Sequence, residues 1–194
     1  CSEENCQIFL QSCNLFKQHG FVHVGMDHFV KQGDSLAKSF TNGTLHRNFM
    51  GYVSNPSENL LGLGPGAISY LNHAYMRNQP SSTLWNHQLK QQKSGQDLWY
   101  KQTLSDQKTQ NLINQILCHM CIKEDQITEE FTGNLETLRE KLVQFEKDQI
   151  LIWDGTNKQW NITPKGKMFS RFVAQAIDQH WENTRSNEEY SKVA

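Results

Sequence analysis

"CQIFLQSCNLFKQHGFVHVGM", residues 6–26, sets an amphipathic pattern against a strand pattern across a single glycine. Cys6, Phe9, Leu10, Cys13 and Phe16 recur at helical spacing, which predicts a helix over 3–18 with one apolar face. Gly20 is placed to cap it, because helices commonly end in a left-handed residue that glycine adopts without steric cost. "FVHVGM" (21–26), rich in β-branched and aromatic residues, predicts a strand at once after it. Helix, glycine, strand is a repeat unit of an α/β fold. A lone strand leaves its backbone edges unpaired, so its partner strands are expected upstream of Cys1. The chain opens there without an initiator Met, and it is expected to be a piece of something longer.

Working outward, a short polar helix is expected over 34–41, from Asp34 to Asn42-Gly43. "LHRNFMGYVS" (45–54) has no clear period and reads as an ordered loop. "NLLGLG" reads as a strand and "AISYLNHAYMRN" as a strand or short helix. Residues 80–102 read as a connecting helix plus loop anchored by Trp85, Leu89, Trp99 and Tyr100. From Thr103 the texture changes. "TLSDQKTQNLINQILCHM" predicts a helix capped by Ser105, with Leu112, Ile113, Ile116 and Leu117 inward. A second helix is expected over 133–147, carrying Leu135, Leu138, Leu142 and Phe145. "ILIWDGTNKQWNIT" then predicts two short strands about an Asp-Gly turn region. Pro164 and Gly166 open a last helix with Met168, Phe169, Phe172, Val173 and Ile177 inward, and the polar tail after Arg185 is expected to be mobile. Two domains are expected, 1–102 and 103–194, the second of winged-helix-like shape.

Composition narrows the partners. With 194 residues the chain is long enough to bury a real core. A net charge of −1 carries no electrostatic footprint for nucleic acid. Acidic residues outnumber basic ones over 103–185, which argues against phosphate contacts by the winged-helix-like part. No apolar run approaches the ~20 residues of a membrane span. Five scattered cysteines suggest reduced thiols and a cytoplasmic setting. Cys118-His-Met-Cys121 is the one metal-like spacing, but it has no second ligand pair downstream. Buried helix thiols are expected there, and no metal-ligating residue is assigned.

The chemistry is sought in two polar, glycine-bearing stretches and one glycine run. "GMDHFV" (25–30) comes off the predicted strand, where α/β folds bind ligands. Asp27 and His28 read as an acid–base pair or as a hydrogen-bonded brace. In "LHRNFMGY", Arg47, flanked by His46 and Asn48, offers a planar donor fork suited to a carboxylate; an ion pair with Asp27 or Asp34 is the equal alternative. "NLLGLGPGAISYL" (59–71) spaces its glycines G-x-G-x-G rather than as the dinucleotide fingerprint, and no Asp or Glu occurs between Glu58 and Asp97. A nucleotide phosphate cradle is not expected. The glycines serve tight turning or close backbone approach.

"GMDHF", "LHRNFMGY" and "LLGLGPGAIS", in this order and spacing, resemble the oxygen-independent coproporphyrinogen III oxidases, radical SAM enzymes of haem biosynthesis. The similarity runs from about Cys13 to the closing helix and takes in "NITPKGKMFSRFV" (161–173). "HRNF" favours the oxidase branch over the haem-chaperone branch. The resemblance implies an α/β plus α fold: the last part of an incomplete (β/α) barrel followed by a mostly helical, winged-helix-like C-terminal domain. It implies oxidative decarboxylation of two propionates of coproporphyrinogen III to give protoporphyrinogen IX. The cofactors implied are S-adenosylmethionine and a 4Fe-4S cluster whose CxxxCxxC ligands lie upstream, since Cys1, Cys6 and Cys13 have the wrong spacing. Ile68 matches a residue lining the S-adenosylmethionine site, and Phe49 and Met50 match positions near it. Arg47, His46 and Asn48 are the substrate candidates. The family reads HRNFQGYTT where this chain has "HRNFMGYVS", with Met50, Val53 and Ser54 as departures. A paralogue acting on another tetrapyrrole and a non-catalytic haem- or porphyrin-binding protein are the alternatives; a monomer is expected.

Overall fold

The computed structural model describes residues 3–184. The expectations for Cys1, for the side chain of Cys6 and for the tail after Arg185 lie outside the described residues. Helix α1 (Glu3–Gln18) closes as expected at Gly20, whose φ is +76°, and strand β1 (Phe21–Gly25) follows. One partner of β1 lies downstream: β2 (His28–Lys31) folds back on it antiparallel, Val22 opposite Val30. The turn between them uses Met26 at a φ of +47°. Met26 carries no turn signature, and Asp27 beside it is the one turn-favouring residue of the pair. Phe9 and Phe16 of α1 pack on Phe29 of β2, Phe16 stacked at 4.8 Å. Leu10, expected inward, is exposed.

Helix α2 (Ser35–Thr41) begins where Asp34 accepts the Leu36 N–H and ends at Asn42, with Gly43 left-handed. Residues 45–54 are not a loop. They form a second hairpin, β3 (His46–Asn48) against β4 (Gly51–Val53), with Arg47 opposite Tyr52. Strands of three residues are too short to show a period of two, and Phe49-Met50 is an unusual turn pair.

The chain packs as two compact units. One compact unit runs to Asn55 and resumes at Lys108; the other is Pro56–Gln107. The reason is a shared core: Val24, Leu45 and Tyr52 cluster with Cys118, so the hairpins and the later helices bury one another.

In the 56–107 unit, β5 (Ile68–Leu71) and β6 (Ala74–Asn78) form a hairpin whose turn residues, Asn72 and His73, both have positive φ. Helix α3 (Ser82–Lys90), capped by Ser81, leads to β7 (Gln96–Lys101), which completes a sheet of order β5-β6-β7. The expected loop after α3 is therefore in part a strand. "NLLGLG" is not one; only Leu60 bridges, to Tyr70.

The second stretch of the larger unit continues helix α4 (Leu104–Asn114) into a π-helical turn over Gln115–His119 that ends at left-handed Met120. Thr103, not Ser105, caps α4: its hydroxyl accepts the Asp106 N–H while Asp106 accepts the Thr103 N–H, a reciprocal box. Strand β8 (Cys121–Lys123) and helix α5 (Glu124–Glu130) were not expected. Helix α6 (Leu135–Lys147), β9 (Leu151–Asp154) and β10 (Gln159–Ile162) match expectation and give a sheet of order β8-β10-β9. A 3₁₀ turn (Gly166–Phe169) enters α7 (Ser170–Ile177), and α8 (Gln179–Thr184) follows. Leu112, Ile116, Ile127, Leu138, Leu142, Val173 and Ile177 are the fully buried centre. Phe172, expected inward, is exposed.

Candidate functional site

The β3–β4 hairpin carries five of the six candidate residues. Leu45 is fully buried at its foot, and the chain rises from it through His46, exposed, and Arg47 and Asn48, half-buried. Asn48 turns the chain by accepting the Met50 N–H on Oδ1 at 2.8 Å, the local bond that suits asparagine to turns. Phe49 and Met50 occupy the tip. Both are exposed, Met50 to 76%. Gly51 has a φ of +130°, and a Cβ there would stand 3.4 Å from His28 Nε2.

Tyr52 ties this hairpin to the core. It is buried, and its hydroxyl donates to the Leu117 carbonyl in the π-helical turn at 2.9 Å. Burial pushes its ionisation well above the usual tyrosine range. On its ring lie the Arg47 guanidinium, 5.8 Å from the centroid, and the edge of His28 at 5.0 Å. Gly25 abuts it so closely that any Cβ would collide with the tyrosine hydroxyl. Sequence reasoning passed over Tyr52, although it lies inside the quoted motif.

Arg47 forms an ion pair with neither Asp27 nor Asp34. Asp27 instead accepts from His28 Nδ1 at 2.8 Å, and Asp34 caps α2. The Asp27–His28 contact thus fits the brace. Arg47 Nε is buried with no hydrogen-bond partner, and a buried N–H left unpaired costs about 1–3 kcal/mol. Such a group is poised for an acceptor, and a guanidinium takes a carboxylate on two N–H bonds at once.

Ile68, the sixth candidate, begins β5 in the other unit, opposite Arg77 and half-buried. Its glycine neighbours serve the loop itself. A Cβ on Gly62 would meet the Ile68 carbonyl oxygen at 2.5 Å, so the missing side chain admits the backbone of Ile68. Asn78 Nδ2 donates to the Gly64 carbonyl at 2.9 Å, and Gly64 and Gly66 take positive φ.

Cys118 is buried, with its thiol pushed up to about 12 by desolvation, while Cys121 is half-buried and also raised by burial. Among the described residues, no group of three or more His, Cys, Asp or Glu side chains is placed to hold a metal ion. These residues do not fit an iron–sulfur cluster. No helix among the described residues is long and apolar enough to cross a membrane.

No family model matches the chain. An oxygen-independent coproporphyrinogen III oxidase of Synechocystis sp. is 26% identical over 99% of this chain, and that of Escherichia coli K12 is 27% identical over 98%. The structure of Escherichia coli coproporphyrinogen III oxidase (HemN), described as a radical SAM enzyme, superposes with a TM-score of 0.82 over 93% of this chain at 25% identity. The chain resembles the oxygen-independent coproporphyrinogen III oxidases. It spans 42% of the length of each of these three relatives. The likeness to these oxidases, with mixed helix and strand content, covers both the hairpin that bears Arg47 and the strand that bears Ile68.

Proposed function

We propose that this chain is the C-terminal part of a radical SAM enzyme that oxidatively decarboxylates coproporphyrinogen III to protoporphyrinogen IX. The observation that carries it is likeness to coproporphyrinogen III oxidases over nearly the whole chain, in sequence and in fold together. Within the chain, Arg47 with its unpaired buried Nε is the residue suited to a propionate carboxylate. His46 and Asn48 flank it. Phe49, Met50 and Ile68 are the S-adenosylmethionine contacts. That cofactor and a 4Fe-4S cluster held upstream would supply the radical chemistry. The protein is read as a cytoplasmic monomer. Residues before 103 are read as the end of an incomplete barrel. The order α4, β8, α5, α6, β9, β10, with β10 between β8 and β9, supports a winged-helix-like reading of the part after residue 103.

The test uses the full-length protein, reconstituted anaerobically with iron, sulfide, S-adenosylmethionine and a reductant. Coproporphyrinogen III should be consumed with release of two carbon dioxide molecules per protoporphyrinogen IX. Arg47→Lys should impair that conversion while sparing uncoupled cleavage of S-adenosylmethionine, because lysine keeps the charge and loses the fork. Equal loss of both would make Arg47 a structural brace. Met50 favours one second reading: an exposed thioether stands where the family carries an amide. Cleavage of S-adenosylmethionine with coproporphyrinogen III left intact would support a paralogue acting on another tetrapyrrole.

A further inference from the structure

Lys167 sits in "NITPKGKMFSRFV", a stretch outside the candidate site. Its ammonium is half-buried, donates to the His23 carbonyl at 3.3 Å, and lies 4.8 Å from the centre of the Phe40 ring. Among the described residues it has no carboxylate partner, and burial lowers its pKa. An ammonium carries three donors, and the His23 carbonyl takes one. Desolvating a cation without a counter-charge is costly, and that cost is recovered when an anion binds.

Its placement gives the anion a location. His23 belongs to β1, whose last residue, Gly25, abuts Tyr52, and Tyr52 carries Arg47 on its ring. Lys167 from the 3₁₀ turn thus meets β1 directly at His23, and Arg47 from the β3–β4 hairpin is linked to the end of β1 through Tyr52. Arg171, one helical turn beyond Lys167, is near enough to act on the Tyr52 hydroxyl, as is Asp27. Asp27 is exposed and already bonded to His28. Positive charge is thus in excess at this end of the strand.

We propose that Lys167 is a second carboxylate-binding residue, holding beside β1 a propionate of the tetrapyrrole other than the one taken by Arg47. The inference rests on the coproporphyrinogen reading and adds a contact from the C-terminal helical part. A tetra-acid substrate offers carboxylates on every ring, so two separated cations orient it better than one.

The test measures binding of coproporphyrin III and of its tetramethyl ester to the full-length protein by fluorescence quenching, in one detergent-containing buffer. Lys167→Gln should weaken the tetra-acid about tenfold or more, as loss of a charge-assisted hydrogen bond implies, and leave the ester and S-adenosylmethionine unchanged. Lys167→Arg should restore binding of the acid. Equal weakening of acid and ester, a fall in S-adenosylmethionine affinity instead, or unchanged binding by Lys167→Gln would each overturn the inference with the coproporphyrinogen reading intact. Failure of the unaltered protein to bind the tetra-acid would remove that reading and the inference together.

Discussion

Tyr52 spends its one hydroxyl on a carbonyl 65 positions along the chain. Removing that oxygen leaves the Leu117 carbonyl without this donor in a buried place. Tyr52→Phe should therefore cost about 1–3 kcal/mol, read as a lower denaturation midpoint with little change of slope. An unchanged midpoint would mean that water or another donor replaces the hydroxyl. His23 makes a different demand. Its ring stacks on Phe29 at 4.5 Å, and Nε2 bonds the Met26 carbonyl at 2.6 Å. Burial, the largest cause, lowers its pKa from 6.5, and His119 is lowered in the same way. A depressed pKa means that the unfolded chain binds the proton more readily. The contribution of His23 is thus complete above pH 6.5 and is lost as the pH falls through its folded value. Unfolding free energy should drop on acidification below that pH, and His23→Gln should make the drop shallower; an identical slope would contradict this.

At the scale of elements, two short pieces of backbone do work that their composition conceals. The β3–β4 hairpin presents Arg47 only because Gly51 lets the chain pass beside His28 and because Tyr52 is anchored below. The glycine run is stitched to its own sheet: the Gly62 N–H donates to Ser69 Oγ at 3.0 Å, and Asn78 holds the Gly64 carbonyl. A methyl group on Gly62 has no space, since the carbonyl oxygen and nitrogen of Ile68 would lie 2.5 and 2.9 Å away. Gly62→Ala should destabilise by about 1–3 kcal/mol through overpacking, and it should push on Ile68. If Ile68 touches S-adenosylmethionine, cofactor affinity will fall further than the melting shift explains. A variant that melts and binds normally would show that the loop yields freely.

Across the larger unit, the π-helical turn belongs to both cores. Leu117 packs in the cluster built on α4, α6 and α7, while Cys118, the next residue, packs with Val24, Leu45 and Tyr52. Phe40 touches both. Cores joined in this way should unfold together. Leu138→Ala, at a fully buried site in α6, should cost about 2–5 kcal/mol. Amide exchange of Val24 and Leu45 should accelerate by the same free energy as that of the helices. Protection of β1 that survives the substitution would show two independent cores.

Much was decided by the sequence alone. Apolar spacing placed α1, α6 and α7, Asp34 and Gly43 bounded α2, and the Asp-Gly region placed the β9–β10 hairpin, because these signals are local and long enough to repeat. Three motifs read together marked the stretch that carries Arg47. Tertiary structure alone decided the rest. It found β2 downstream of β1, turned "HRNFMGYV" into a hairpin, and gave the Gly62 gap to the backbone of Ile68. It also withheld Asp27 and Asp34 from Arg47 and brought Lys167 to His23, 144 positions away. Short strands carry too few residues to show a period, and a charge reveals what it lacks only when distant parts of the chain surround it.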